Sequence, residues 1–123
     1  MRGFPRHIVE TLAKEKILAI RAGKKAHRFI GIWVVVAENR VFVRSWGLKA
    51  GGWYKTLLED PRCTIKVRNR NVPSRAVRTK SERLKEAVSL AYREKYNTPW
   101  MLRYVRGFRQ PKRMDATIEL VPR

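Results

Sequence analysis

The segment WYKTLLEDPRCTIKVRN, residues 53–69, contains two periodicities that meet at a proline. Its first part predicts a short amphipathic helix, and Pro61 ends that helix because a residue that precedes proline disfavours helical backbone. Its second part alternates apolar and polar side chains, which predicts a β-strand with one buried face. Cys63, Ile65 and Val67 are expected to face inward, and Arg62, Thr64, Lys66 and Arg68 outward.

The stretches on either side of this segment predict further strands joined by hairpins. Residues 27–38, HRFIGIWVVVAE, are apolar on both alternating faces, which predicts a central strand. A short turn at 38–40 leads into a partner strand at 40–46, and a second turn at 69–71 leads into a strand at 72–80. Ile32, Val34, Val41, Val43, Ile65 and Val67 are predicted to be buried. A first strand at 16–23 and a last strand at 114–122 complete the set.

Helical periodicity is confined to the peripheral segments. Pro5 opens a helix over residues 4–15, and Ser81 is a candidate N-cap for a longer helix that ends near Tyr96. Residues 97–113 suggest a packed helical turn that begins at Pro99. The order of elements predicts a mainly β fold with peripheral helices, as a small antiparallel split β-barrel in a single domain over residues 1–123.

Composition limits the possible partners. The 123-residue chain carries 29 lysines and arginines against 10 acidic residues, a net charge of +19, which attracts nucleic acid, anionic membranes or phosphorylated small molecules. No apolar run approaches the roughly 20 residues of a membrane span. One cysteine permits no internal disulfide, which favours a cytoplasmic protein. His7 and His27 fall in different elements, so we expect no metal site.

The segment at 53–69 also resembles the signature of the flavin- and deazaflavin-binding split-barrel superfamily, which includes deazaflavin-dependent nitroreductases and pyridoxamine phosphate oxidase-like proteins. The resemblance lies in Trp53, Tyr54, Leu57, Pro61, Ile65 and Val67, preceded by the glycine loop RSWGLKAGG and the hairpin IWVVVAENRVFVRS. Within the superfamily, the sequence is most similar to the domain-of-unknown-function family numbered twenty-two fifty-five, which shares the IWVV…VRS and AYREKY stretches. The resemblance implies binding of FMN or deazaflavin, a possible oxidoreductase activity and a homodimer with the cofactor near the subunit interface.

The candidate cofactor-binding residues lie in a cationic turn and in the glycine loop. Glycine-rich loops between a strand and a helix admit a phosphate close to the backbone, and lysine or arginine neutralises its charge. The deazaflavin reductases carry a serine in the corresponding turn; RAGKKAHRFIG, residues 21–31, lacks it, so the flavin-type cofactor stays open. The candidate residues are Lys25, His27, Arg28, Arg44, Ser45, Trp46, Gly47, Lys49, Gly51, Gly52 and Trp53.

Two functions from different classes remain open at this point. The first is a cofactor-binding protein in which a phosphate-bearing small molecule carries the chemistry, since no catalytic constellation of side chains is evident. The alternative is a small basic β-barrel that binds nucleic acid through the outward row Arg62, Lys66, Arg68 and Arg70. The aromatic residues fall at core-like positions and are not interleaved with that row, which weakens the alternative.

Overall fold

The structure is a computed structural model that describes residues 3–23 and 28–123. Five helices and seven strands follow one another along the described chain. They are α1 Arg6–Lys14, β1 Leu18–Ala22, β2 Ile30–Ile32, β3 Val35–Ala37, β4 Arg40–Arg44, α2 Trp53–Glu59, β5 Arg62–Val67, β6 Arg70–Arg78, α3 Glu82–Lys95, α4 Pro99–Gly107, α5 Pro111–Met114 and β7 Thr117–Pro122.

The seven strands form one antiparallel sheet in the order β2-β1-β5-β6-β7-β4-β3. All six pairings are antiparallel, and the sheet curls into a half-barrel. This confirms the predicted class, a mainly β split barrel with peripheral helices. Among the described residues no helix is long and apolar enough to cross a membrane.

The prediction of one central strand over residues 27–38 is wrong. The segment is interrupted at Trp33 and Val34, and its two pieces, β2 and β3, lie at opposite edges of the sheet. The alternation survives the interruption, since Ile32, Val34 and Val36 pack against the inner core while Trp33 and Val35 pack outward. The outward side is apolar because helices cover it there. Residues 27–38 are therefore apolar on both faces because helices cover the outward face, and not because the segment forms a central strand.

Two hydrophobic clusters stabilise the fold. The inner core fills the half-barrel, where α1 and α2 supply Leu12 and Leu57, and the strands supply Ile20, Ile65 and Ile118. The second cluster lies outside β3 and β4, under α3 and α4, and contains Val35, Phe42, Val88, Tyr92, Tyr96 and Phe108. Of the six side chains predicted to be buried, Ile32 is half-buried, and the other five are buried.

Local signals in the sequence predicted several element boundaries correctly. Glu38 and Asn39 both have positive φ, which a tight two-residue hairpin turn requires. The second turn was predicted at residues 69–71 but lies slightly earlier, at Arg68 and Asn69, which both have positive φ. The Ser81 side chain accepts a hydrogen bond of 3.2 Å from the Leu84 N–H, which confirms the N-cap of α3.

Candidate functional site

Two cavities adjoin one another between β2, the loop that follows β4, and helices α2 and α4. The larger, called here the aromatic cleft, has a volume of about 360 Å³. The smaller, called the basic pocket, has a volume of about 250 Å³. Trp53, the first residue of α2, lines both cavities. The aromatic cleft is lined by Gly31, Ile32, Trp33, Arg44, Trp46, Gly47, Trp53, Trp100, Tyr104 and Phe108.

Trp46 forms one wall of the aromatic cleft and is held in a fixed orientation. The Arg113 guanidinium lies 3.6 Å from the centre of the indole ring, and its Nε donates a 3.0 Å hydrogen bond to the Trp46 carbonyl. Tyr104 and Phe108 contact the indole edge-on, at 5.2 and 5.7 Å between ring centres. A Cβ atom at Gly107 would lie 2.4 Å from the indole, so only glycine at this position allows the ring to pack against α4. The tryptophan is still 40% exposed, which leaves part of its surface free for a ligand.

Trp33 forms the opposite part of the lining. Its ring stacks on Tyr96 of the α3 C-cap, with 4.2 Å between centres and an angle of 7° between planes. Trp100 and Tyr104 approach it edge-on, both at 6.3 Å. Edge-to-face and stacked rings of this kind favour well-defined orientations over a fluid apolar surface. The cleft is therefore a rigid aromatic slot that suits a flat ring system.

Arg44 lies beneath this slot as a buried, positively charged group. It is 2% exposed, and its guanidinium donates hydrogen bonds to neutral oxygens of the surrounding helices and of β7. The acceptors are Thr117 Oγ1 at 2.8 Å, Ser89 Oγ at 2.7 Å, the Lys85 carbonyl at 2.8 Å and the Phe108 carbonyl at 3.4 Å. Burial lowers the pKa of Arg44 to about 10, so it stays charged at neutral pH. The positive potential under the cleft favours an electron-rich or anionic ring.

The basic pocket lies on the other side of Trp53. Arg28 lines it, together with Thr56 of α2 and apolar residues of β1 and β2. Gly51 also lines it with a φ of +82°, a conformation that disfavours any side chain. A Cβ atom built on Gly51 meets no atom within 4 Å, so the backbone borders open space. An arginine beside bare backbone is the arrangement that a small anion such as phosphate prefers.

The candidate residues from the sequence separate into four groups. Arg28, Gly51 and Trp53 line the basic pocket, whereas Arg44, Trp46, Gly47 and Trp53 line the aromatic cleft. Ser45, Lys49 and Gly52 line neither cavity. Lys25 and His27 lie outside the described residues.

Ser45, Lys49 and Gly52, which line neither cavity, lie in the loop that follows β4. Ser45 is buried, and its hydroxyl donates to the Gly47 carbonyl within the loop. Gly52 donates a 3.2 Å hydrogen bond to the Lys49 carbonyl, and the same oxygen would lie 3.2 Å from a Cβ atom at Gly52. The atom that lies close to Gly52 is thus the Lys49 carbonyl oxygen of the same loop. The Lys49 side chain is exposed to solvent.

Sequence reasoning missed the contribution of α4. Trp100, Tyr104 and Phe108 all line the aromatic cleft, and Gly107 lets Trp46 pack against the helix. The signal was present as three aromatic residues spaced by four, which places them on one helical face. That spacing is equally typical of a helix packed against a core, so it identified the helix without identifying its role.

The described residues contain no group of three or more His, Cys, Asp or Glu side chains that could hold a metal ion. The buried Cys63 is not a candidate nucleophile, because burial raises the pKa of its thiol to about 12. Most carboxylates are instead in ion pairs, such as Glu119 with Arg40 at 2.7 Å and Asp115 with Lys85 at 2.8 Å.

Comparison with protein families supplies an identity at the level of the family. Residues 9–120 match the family described as "Uncharacterized protein conserved in bacteria (DUF2255)". The chain belongs to this family. The family assignment agrees with the resemblance of the IWVV…VRS and AYREKY stretches. No curated protein matches the sequence.

Solved structures with the same fold come from several bacteria. A candidate pyridoxamine 5′-phosphate oxidase from Listeria innocua has a TM-score of 0.63 at 10% identity, with 94% of this chain and 90% of that chain covered. An FAD-binding protein from Mesorhizobium loti has a TM-score of 0.54 at 11% identity, covering 97% and 88%. A NimC/NimA family protein from Clostridium acetobutylicum has a TM-score of 0.56 at 13% identity, covering 95% and 77%. At these identities the similarity shows that this chain shares the split-barrel fold of these proteins.

Proposed function

We propose that this DUF2255 protein binds a flavin-type cofactor, FMN or a deazaflavin, across the two adjoining cavities. The observation that carries the proposal is the shared wall at Trp53, with an aromatic slot on one side and a cationic pocket on the other. A flavin mononucleotide has the matching layout, a flat apolar ring joined by a short polar chain to a phosphate. The names of the structural neighbours, which include an FAD-binding protein, support the same class of ligand.

The residues around the cavities suit such a molecule part by part. In the aromatic cleft the ring would lie between the rigid walls at Trp33 and Trp46, above the buried charge of Arg44. In the basic pocket, Arg28 would hold the phosphate beside the bare backbone of Gly51. Lys49 is exposed in the same loop, and we expect it to attract the phosphate over a longer distance than Arg28.

A bound flavin supplies hydride and electron transfer, so an oxidoreductase activity is the corresponding enzymatic proposal. The protein would bind the ring, orient it and exclude water from one of its faces. Trp46, Trp100 and Tyr104 are 40%, 58% and 42% exposed, so the cleft has an open aromatic rim. A second copy of the chain that covered this rim would complete the site, which makes a homodimer part of the proposal.

The test is a fluorescence titration of the purified protein with FMN, riboflavin and a deazaflavin, because riboflavin has the ring without the phosphate. Wild type should bind FMN more tightly than riboflavin. Arg28→Ala should weaken FMN binding by about 1.5–3 kcal/mol, the typical contribution of a hydrogen bond to a charged group, and should leave riboflavin binding unchanged. Arg103→Ala, an exposed arginine of α4 that lines neither cavity, is the matched control.

A second pair of variants tests the ring position. Trp46→Ala should weaken FMN and riboflavin equally, because both contain the ring that the indole contacts. Leu90→Ala removes an exposed apolar side chain elsewhere and should weaken neither. If wild type binds none of these ligands at micromolar concentration, the proposed function is wrong. Light scattering of the protein with and without FMN measures the proposed homodimer independently.

A further inference from the structure

The two halves of the sheet differ sharply in charge. Residues 16–32 and 61–81 together contain twelve lysines and arginines and no aspartate or glutamate. The topology places the described parts of these two distant segments side by side, because they contain the consecutive strands β2, β1, β5 and β6. A basic surface that no single segment reveals is thereby assembled from two stretches of the chain that lack acidic residues.

The cationic side chains share the outer face of these strands. Register pairs Arg62 directly with Arg75, and pairs Thr64 with Arg21, so the three arginines lie on one face. Lys66 follows two residues further along β5 on the same face. The expected outward row does not extend to Arg68 and Arg70, because Arg70 pairs with the inward-facing Val67 and Arg68 lines a cavity with residues of α1. The outer basic face is defined by Arg21, Arg62, Lys66 and Arg75.

Most of these cations have no acidic partner. Arg62 is paired with Asp60 at 3.0 Å, whereas no carboxylate in the described chain forms an ion pair with the other three. Like charges directly opposite each other on neighbouring strands destabilise a sheet, and Asp60 offsets this at Arg62 but not at Arg75. Other acidic residues pair with cations away from this face, at Arg40, Arg83, Lys85 and Arg109. Three of the four cations of the face thus have no carboxylate partner in the described chain.

We propose that the outer basic face binds the phosphate backbone of nucleic acid without base preference. Among the described residues, Phe29 is the aromatic residue beside the cations, and its ring is already approached by the Lys66 ammonium at 4.5 Å and the Arg21 guanidinium at 4.7 Å. Phe29 therefore orients two cations and offers little free ring for base stacking. Recognition through charge alone predicts an affinity that depends steeply on salt and little on sequence.

The residues between the cations favour nucleic acid over an anionic membrane. Ala19, Thr64, Asn71 and Pro73 occupy the intervening outward positions. Membrane-surface binding usually adds large apolar side chains that enter the acyl region, and these four residues supply none. The strands also present their cations in rows about 6.6 Å apart at alternate residues, which suits a linear polyanion that runs along the face.

The test compares two variants of equal net charge. Arg21→Gln, Lys66→Gln and Arg75→Gln together neutralise the outer basic face, whereas Arg93→Gln, Arg103→Gln and Arg106→Gln neutralise three exposed arginines on α3 and α4. Fluorescence anisotropy with labelled single-stranded oligonucleotides of two unrelated mixed sequences would measure affinity at several salt concentrations. Wild type should bind both sequences similarly. The face variant should bind at least about tenfold more weakly, with a salt slope smaller by about 2, since each lost phosphate contact on a single strand contributes about 0.7.

The helix variant should retain most of the affinity and the slope. An equal loss in both variants would show that net charge alone attracts the oligonucleotide and would overturn the proposal. Absence of binding at low salt would overturn it as well. Vesicles of phosphatidylserine and phosphatidylcholine provide the remaining arm: binding to them that depends on the same three side chains would replace nucleic acid with a membrane surface. Thermal unfolding of each variant checks that all are folded.

Discussion

Side chains alternate between inward and outward positions in both halves of the sheet, but the outward side chains differ. One half consists of β7, β4 and β3, and the other of β2, β1, β5 and β6. The first is covered by α3 and α4, and its outward side chains, such as Phe42 and Arg44, are buried. The second is uncovered, and its outward side chains, such as Lys66 and Arg75, are exposed cations. A second layer, and not the strand itself, determines whether an outward position must be apolar or internally hydrogen-bonded, or can carry an unpaired charge.

The strongest contrast should come from a carboxylate placed in each half. Val34 is fully buried where the chain crosses between the two edge strands, so Val34→Asp strands a charge in the core and should abolish soluble expression. Thr64→Asp places the same carboxylate on the outer basic face opposite Arg21 and should change the free energy of unfolding by no more than about 1 kcal/mol, in the stabilising direction. Soluble yield and urea unfolding measure the pair. A soluble, folded Val34→Asp protein would contradict the burial of this segment.

A second contrast uses one arginine from each half. Arg44→Ala leaves four buried oxygen acceptors without their donor and should cost about 2–4 kcal/mol in the free energy of unfolding. Arg75→Ala removes an exposed side chain without a carboxylate partner in the described chain and should change stability by less than about 0.5 kcal/mol. Chemical denaturation of both variants gives the comparison. Equal effects would mean that the network around Arg44 does not stabilise the covered half.

The sequence predicted what depends on local pattern and missed what depends on the second layer. The sequence predicted the alternation in β5, the positive-φ hairpin residues and the Ser81 cap, because each feature depends only on a few neighbouring residues. The interruption at Trp33 and Val34 could not be predicted from the sequence, because a strand covered by a helix and a central strand have the same apolar composition. The site followed the same rule. Among the candidate residues, Arg28, Gly51 and Trp53 line one cavity, whereas the wall that α4 supplies depends on a long-range contact.

The interruption between β2 and β3 provides a third, smaller effect. The Tyr96 hydroxyl accepts a 3.0 Å hydrogen bond from the Val34 N–H, and it lies 2.6 Å from the Lys16 carbonyl. Tyr96→Phe keeps the ring stacked on Trp33 but removes these bonds, so it should cost about 1–3 kcal/mol and speed amide exchange at Val34. Tyr104→Phe, whose ring lines the cleft, should be neutral for stability. Unchanged exchange at Val34 would show that the crossing does not need the hydroxyl.

The smallest effect is a pH dependence that originates in the covered half. The Lys95 ammonium donates to the carbonyls of Leu12 at 2.8 Å and Val34 at 2.7 Å, and burial lowers its pKa from 10.5 to about 8. Between about pH 8 and 10 the unfolded chain therefore holds a proton on this lysine that the folded chain has released. Stability rises with pH wherever the unfolded state binds more protons, so the free energy of unfolding should increase across this window. Above pH 10 the raised pKa values of Tyr92 and Tyr96 act in the opposite direction. Urea unfolding at several pH values should show the rise in wild type and in Lys66→Met, a control on the outer basic face, and a flatter profile in Lys95→Met. An identical slope in all three proteins would assign the pH dependence to other groups.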